Sequence, residues 1–211
     1  EACDATAKEL SALGPCVSLP ADVATLDGIQ QLVAAYQKHE QSLDILVNNA
    51  GAAWGAPYDE FPESGWDKVA DLNLKTPFFL TQALTPLLRK AATDHLAKVI
   101  HIASIDGITV NPWETYSYAA SKAGLIHLTK RMALKLAPER IIVSAIAPGP
   151  FASEMNKEAR DHADKVAGYT PAGRIGQPED MAGAAIYLAS NAGDFVVGST
   201  LVVDGGVAWG R

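Results

Sequence analysis

Residues 141–147 read Ile-Ile-Val-Ser-Ala-Ile-Ala, an apolar run that a single serine interrupts and that is long enough for one strand. Such a run is typical of a parallel strand that helices cover on both faces. Four further strand candidates lie along the chain, at Cys16–Leu19, Leu43–Asn48, Lys98–Ala103 and Thr200–Val203. Helical periodicity between them predicts helices at Leu26–Lys38, Gly65–Arg89, Tyr118–Leu136 and Pro178–Ala189. The alternation predicts an α/β fold with a doubly wound parallel sheet.

The length of 211 residues, of which 48% are apolar, predicts one domain that spans residues 1–211. The stretch Phe151–Gly173 is polar, charged and irregular. Irregular excursions from a rigid scaffold often form the lids of binding sites. We therefore expect residues 151–173 to be a substrate lid.

The first residues of the chain have the pattern of a helix, and neither a strand nor a glycine-rich turn precedes them. A Rossmann-like fold begins with a strand, a glycine-rich turn and a helix, which together hold a pyrophosphate. We therefore expect this first strand-turn-helix unit, about 40 residues long, to lie upstream of Glu1.

The composition excludes several classes of protein. A net charge of −7 argues against a nucleic-acid partner, and the sequence has no apolar run that is long enough to cross a membrane. Cys3 and Cys16 are too few for a disulfide framework and predict reduced thiols in the cytoplasm. No two of the five histidines have the i, i+4 spacing of a helical metal site, so no metal is predicted.

The tyrosine and lysine of Tyr118-Ala-Ala-Ser-Lys122 are at i, i+4 and share a helix face. A tyrosine can act as an acid towards a developing alkoxide, but its ordinary pKa near 10 is high for neutral pH. An ammonium about 4 Å away would favour the phenolate by roughly 4 kcal/mol. Alone, this spacing is common by chance and also fits a surface pair on an amphipathic helix.

Several polar or small residues follow predicted strands, at the edge of the sheet where α/β proteins bind ligands. Ser104 follows the strand 98–103 and can hydrogen-bond a substrate oxygen, or it can cap the next element. Asn73 lies within a predicted helix, where an asparagine is unfavourable unless it has a partner, although it can also face solvent. Asn48-Asn49-Ala50-Gly51 and Pro148-Gly149 are turns that let a ligand approach the backbone.

Taken together, these motifs resemble those of the short-chain dehydrogenase/reductase family along nearly the whole chain. The matching residues are Asp22-Val23, Asn48-Asn49-Ala50-Gly51, Asn73, Ser104, Tyr118-x-x-x-Lys122, Pro148-Gly149 and Asp204-Gly205-Gly206. The resemblance implies an oxidoreductase that transfers hydride between a nicotinamide and a ketone or secondary alcohol. It also implies that Tyr118 is the acid/base, that Lys122 lowers its pKa and binds the nicotinamide ribose, and that Ser104 holds the substrate oxygen. Asn73 would hold a water that connects Lys122 to solvent.

The same resemblance implies a set of cofactor-binding residues. They are Asp22, Val23, Asn48, Asn49, Ala50, Gly51, Tyr118, Lys122, Pro148, Gly149, Phe151 and Ser153. The segments Asn48 to Gly55 and Ala147 to Phe151 look most similar to bacterial 3-oxoacyl reductases, including the rhamnolipid-associated kind. This likeness favours NADP(H) over NAD(H) as cofactor.

Three other functions stay open from the sequence. A polyol or sugar-acid dehydrogenase of the same family is the first of them. A non-catalytic dinucleotide sensor usually lacks the tyrosine, and the cofactor-free dehalogenases have an arginine at the position of Lys122, so both are disfavoured.

Two expectations concern the substrate and the assembly. Trp54, Trp113, Phe151 and Met155 flank the inferred site and could form an apolar acyl pocket, or they could be core or subunit contacts. The family likeness implies a homodimer or homotetramer formed through the helix 118–136 and its predecessor. Ile126 and Ala133 lie off the apolar stripe of that helix and suggest a second buried face.

Overall fold

The computed structural model describes residues 1–210 and contains one parallel sheet. Its strands are β1 (Ile45–Asn48), β2 (Ala97–Ile102), β3 (Ile141–Pro148) and β4 (Thr200–Val203), in the order β1-β2-β3-β4. Asn48 is opposite His101, and Ile102 is opposite Ile146, so the carboxyl ends of the strands meet at one edge. The predicted parallel sheet is confirmed.

Eight α-helices occur within residues 1–210. They are α1 (Ala2–Leu10), α2 (Leu26–Tyr36), α3 (Glu63–Ala70), α4 (Thr76–Ala91), α5 (Tyr116–Leu136), α6 (Lys157–Asp161), α7 (Ala163–Tyr169) and α8 (Pro178–Ala189). The predicted helix 65–89 consists of α3 and α4, which a π-helical turn at Asp71–Lys75 connects.

Helices cover both faces of the sheet. Val99 and Val143 point to one face and pack with Met132 and other side chains of α4 and α5. Ile100 and Ile146 point to the opposite face and pack with Ala184 and Leu188 of α8. Because neighbouring strand residues alternate between the faces, an apolar strand buries side chains in both layers. The doubly wound, Rossmann-like arrangement is therefore confirmed.

The predicted strand Cys16–Leu19 is wrong. This segment has no strand partner among the described residues, and strand structure requires backbone pairing with a neighbour. Its contacts are instead with α1 and the residue that follows it, because the Ser18 hydroxyl donates to Asp4 at 2.7 Å and Ser11 donates to the Cys16 carbonyl at 3.5 Å.

The segment 151–173 leaves the sheet after β3 and carries the two short helices α6 and α7. Phe151 forms an isolated parallel bridge with Gly176, so the two ends of the excursion meet. A Cβ on Gly176 would lie 2.3 Å from the Phe151 ring, so only glycine lets the ring pack there. The segment is therefore anchored at its base, beside the carboxyl end of β3.

Residues 1–210 show neither a membrane-spanning helix nor a metal-binding cluster. None of the helices there combines the length and the hydrophobicity that a membrane span requires. The same residues contain no group of three or more histidine, cysteine, aspartate or glutamate side chains arranged to hold a metal ion.

Candidate active site

A cavity of about 1190 Å³ opens at the carboxyl ends of the strands. The turns after β1, β2 and β3 line one side of it, and the segment 151–173 lines the other. Ligands of α/β proteins bind at this edge because the loops diverge there. The cavity is therefore where the predicted site residues can meet.

Tyr118 and Lys122 both line this cavity from the first turns of α5. The Lys122 Nζ lies 5.6 Å from the centroid of the Tyr118 ring and donates to the Ile102 carbonyl at 2.7 Å. Burial lowers the pKa of Lys122 to about 8. The structure thus brings the predicted pair together in the interior.

Ser104 is buried beside this pair. It caps the short turn Ile105–Gly107, because its Oγ accepts the Asp106 backbone N–H at 3.1 Å. It also lines the cavity beside Tyr118 and lowers the pKa of that phenol. The capping role is therefore present, and the role towards a substrate oxygen stays a prediction.

The pKa of Tyr118 is raised, whereas the sequence-based expectation was that Lys122 would lower it. Burial is the largest cause, the hydrogen bond from Ser104 lowers the pKa, and the charge of Asp106 raises it. The Lys122 ammonium is directed at the Ile102 carbonyl, so desolvation of the phenol dominates in this structure.

Asn73 is fully buried in the π-helical turn and does not face solvent. Its Oδ1 accepts the Ala52 N–H at 2.8 Å, and its Nδ2 donates to the Ala52 carbonyl at 2.9 Å and to the Ser121 Oγ at 3.1 Å. A Cβ on Gly51 would lie 3.3 Å from this Oδ1 and 3.7 Å from the Lys122 Nζ. Asn73 therefore ties the turn after β1 to α5 next to Lys122.

Asn48 lies behind the cavity wall, whereas Asn49, Ala50 and Gly51 line the cavity. The Asn48 Nδ2 is 3.1 Å from both the Thr81 Oγ1 and the His101 Nδ1. Burial, and then the charge of Lys122, lower the pKa of His101 to about 4. Sequence reasoning missed His101, although a histidine within an otherwise apolar strand was a signal for it.

Asp22 and Val23 lie in the segment just before α2, outside the residues that line the cavity. Asp22 accepts the Ala24 N–H through its Oδ1 at 3.1 Å, and the Val23 carbonyl accepts the Thr76 hydroxyl at 2.6 Å. These contacts fix the segment 22–25 against the beginning of α4. A role of both residues in binding a nucleotide stays a prediction.

Other predicted residues divide between the cavity and the helices around it. Pro148, Gly149, Phe151, Ser153, Trp113 and Met155 all line the cavity. Trp54 does not, because its ring packs on Gly65 of α3, where a Cβ would come within 2.7 Å. The expectation that Trp54 belongs to the pocket is therefore not met. Asp106 and Asn111 also line the cavity, although no motif in the sequence points to them.

Comparison with known proteins places this geometry in a family. A family model described as enoyl-(acyl carrier protein) reductase matches residues 1–208. The rhamnolipids biosynthesis 3-oxoacyl-[acyl-carrier-protein] reductase of Pseudomonas aeruginosa is 43% identical over 212 residues, which cover 98% of this chain and 82% of the relative. The 2-dehydro-3-deoxy-D-gluconate 5-dehydrogenase of Escherichia coli is 39% identical over 209 residues, which cover 95% of this chain and 80% of the relative.

Solved structures agree with the sequence matches. The Pseudomonas aeruginosa RhlG/NADP active-site complex has a TM-score of 0.93 and 41% identity, and the match covers 98% of this chain and 82% of that one. A short-chain type dehydrogenase/reductase from Mycobacterium marinum has a TM-score of 0.89 and 30% identity, with 98% and 81% covered. The chain therefore belongs to the short-chain dehydrogenase/reductase family of oxidoreductases.

Proposed function

We propose that this enzyme is an NADP(H)-dependent carbonyl reductase whose substrates are 3-oxoacyl compounds. The observation that carries the proposal is the convergence of Ser104, Tyr118 and Lys122 in one cavity at the carboxyl ends of the strands. The 43% identity to a 3-oxoacyl reductase supports the substrate class. Dehydrogenation of a sugar acid is the second candidate, because relatives of that kind are 38% and 39% identical.

The residues present fit a nicotinamide dinucleotide. Asn49 and Gly51 form one wall of the cavity, and Pro148 and Gly149 form another, all at strand ends. Gly51 brings the backbone so close to Asn73 and Lys122 that a side chain there would enter the space beside the ammonium. NADP in the solved relative named RhlG supports the choice of NADP(H). When bound, the nicotinamide would give or accept the hydride.

The chain's own residues position the carbonyl and supply the proton. The Ser104 hydroxyl, which lies beside the Tyr118 hydroxyl, turns its proton to the substrate oxygen and so holds that oxygen next to the phenol. During reduction, the Tyr118 Oη donates its proton to the oxygen as negative charge develops there. The buried Lys122 ammonium stabilises the phenolate that remains. Asn73 keeps the turn after β1 in register with α5.

Replacement of Tyr118 by phenylalanine tests the proposal. We expect Tyr118→Phe to lower kcat for NADPH-dependent reduction of a 3-oxoacyl ester at least about a hundredfold, which is the usual contribution of a positioned acid. The affinity for NADPH, measured by its fluorescence, should barely change. Tyr116→Phe is the matched control, because Tyr116 is on the same helix but exposed and bonded to Glu114. A Tyr118→Phe enzyme that retains half of its turnover would exclude this tyrosine as the acid.

We further propose a single domain with the segment 151–173 as its lid, assembly into a homodimer or homotetramer, and a cytoplasmic location. Cys3 and Cys16 are both free thiols, which suits a reducing compartment. Ile126 and Ala133 do not support a second interface, because both pack against the protein's own sheet. Leu134 on α5 and Phe195 after α8 do support assembly, since 70% and 99% of these side chains are exposed.

A further inference from the structure

Asp106 places a carboxyl group in the catalytic cavity, two residues after Ser104. Its backbone N–H donates to the Ser104 Oγ at 3.1 Å, so the two residues share one short turn. A Cβ on the next residue, Gly107, would lie 2.8 Å from the Lys122 carbonyl, which shows how tightly the turn packs on α5. The position of Asp106 relative to Ser104 is therefore fixed by the scaffold.

Among the described residues, this carboxylate has an amide beside it and no salt-bridge partner, although the Lys122 ammonium lines the same cavity. Burial raises the pKa of Asp106, and a hydrogen bond from the Asn111 side chain lowers it. The Asn111 Oδ1 accepts the Trp113 N–H at 2.8 Å, so the NH₂ group is the part of Asn111 that can face the carboxylate. Asp106 therefore has a neutral neighbour and no salt-bridge partner, so its charge can act on a bound substrate.

The charge of Asp106 acts at the reacting end of the cavity. It raises the pKa of Tyr118, whose hydroxyl hydrogen-bonds Ser104, so its field reaches the two groups that would hold the substrate oxygen. Lys157 and Lys165 line the cavity from α6 and α7. Lys165 is paired with Glu158 at 2.7 Å. The cavity therefore has one carboxylate near Tyr118, besides the Lys122 ammonium that donates to the Ile102 carbonyl, and its other lysines lie on the lid.

We propose that Asp106 determines substrate specificity by excluding a carboxylate close to the reacting carbonyl. The enzyme then selects neutral 3-oxoacyl esters and thioesters over free 3-oxo acids and sugar acids. This inference rests on the proposed function, and it narrows the substrate class between the two candidates. Like charges in a partly desolvated cavity repel each other more strongly than in water, and such repulsion is a common source of specificity.

A matched pair of substrates isolates this charge effect. Ethyl acetoacetate and acetoacetate have the same 3-oxo group, but only acetoacetate is an anion at neutral pH. We expect the wild-type enzyme to prefer the ester. Asp106→Asn should raise the ratio of kcat/KM for acetoacetate to that for the ester at least about tenfold, which corresponds to about 1.4 kcal/mol. Asp106→Glu retains the charge and should retain the preference.

Glu179→Gln is the control, because Glu179 is an exposed acid in the first turn of α8 and is not among the residues that line the cavity. This variant should leave the ratio unchanged. Asp106→Ser removes the charge with a smaller side chain and replaces Asp106→Asn if the latter does not fold. An unchanged ratio in a folded, NADPH-binding variant without the charge would overturn the inference.

A failure of the proposed function can be distinguished from a failure of the inference about Asp106. A wild-type enzyme that binds NADPH but reduces neither compound would contradict the 3-oxoacyl proposal. Fluorescence titration of the NADPH complex with acetoacetate would then still test Asp106. Tighter binding of acetoacetate to Asp106→Asn than to the wild type would support the inference, and equal binding would overturn it.

Discussion

At the scale of single residues, the acid–base chemistry depends on the few groups that face the Tyr118 hydroxyl. Burial raises its pKa, the hydrogen bond from Ser104 lowers it, and the charge of Asp106 raises it again. Alcohol oxidation requires the phenolate as base, so its rate rises with pH until Tyr118 is deprotonated. The pKa of Tyr118 therefore sets the pH above which alcohol oxidation becomes efficient.

Removal of the Asp106 charge should shift the pH at which Tyr118 loses its proton. Asp106→Asn eliminates one of the causes that raise the pKa of Tyr118, so we expect a lower pKa. The acidic limb of kcat/KM for oxidation of ethyl 3-hydroxybutyrate with NADP⁺ should shift to lower pH. Glu179→Gln, outside the cavity, should leave the profile in place. An acidic limb at the same or a higher pH would show that Asp106 does not act on Tyr118.

A second prediction at this scale concerns Asn73. Asn73→Ala removes three hydrogen bonds and leaves the partly buried Ala52 N–H and carbonyl without their partner. We expect the free energy of unfolding to fall by about 2–3 kcal/mol, the usual penalty for buried polar groups without partners. Urea denaturation measures it. The exposed Asn191→Ala should change stability by less than about 0.5 kcal/mol. Equal stability of both variants would contradict the hydrogen bonds assigned to Asn73.

The sequence predicts that some residues meet in the cavity, and it can do so because their geometry is local. Tyr118 and Lys122 share one helix face through their spacing alone, and Ser104 directly follows a strand. Trp54 and Asp106 were harder to place because their positions depend on contacts between distant segments. Trp54 reaches Gly65 of α3, and Asp106 meets Asn111 and Tyr118 only after the turn packs on α5.

At the scale of elements, the difference between local signals and contacts of distant segments explains where the prediction and the structure disagree. The bounds of α8 agree with the prediction because its start signals are local: Pro178 is in the first turn, and Gln177 and Asp180 form a capping box. The π-helical turn that divides the predicted helix 65–89 depends on the contact of Asn73 with Ala52, which no helical periodicity reveals. Strand pairing is equally non-local, so an apolar segment such as Cys16–Leu19 looks like a strand without being paired.

The segment 151–173 leads to a prediction about motion. Its helices α6 and α7 have five and seven residues, and each buries one side chain, Ala159 and Val166. Strand β2, by contrast, lies inside the sheet and is almost wholly buried. Few buried contacts favour local opening. Hydrogen exchange should therefore be faster in 151–173 than in β2 of the free enzyme, and slower after NADPH and substrate bind. Protection equal to that of β2 in the free enzyme would contradict a lid.

At the scale of the whole molecule, apolar side chains are exposed on both sides of the sheet. Leu134 of α5 is 70% exposed on one side. Ile186 of α8 is 67% exposed, and Phe195, just after α8, is 99% exposed on the other side. Because α5 and α8 cover opposite faces, a single two-fold contact cannot cover both surfaces. Two separate two-fold contacts generate a tetramer with closed symmetry.

The two exposed apolar surfaces predict how the oligomeric state changes when a charge is introduced on either of them. We expect the wild-type protein to be a homotetramer in light scattering at micromolar concentration. Leu134→Glu should interrupt contacts across α5, and Phe195→Glu should interrupt contacts across α8, because each buries a charge without a partner in an apolar interface. Each single variant should then be a dimer, and the double variant a monomer. Glu179→Gln, an exposed change in the first turn of α8, should leave the tetramer intact. A wild-type monomer would refute the assembly, and a dimer that only one of the two substitutions dissociates would restrict it to that surface.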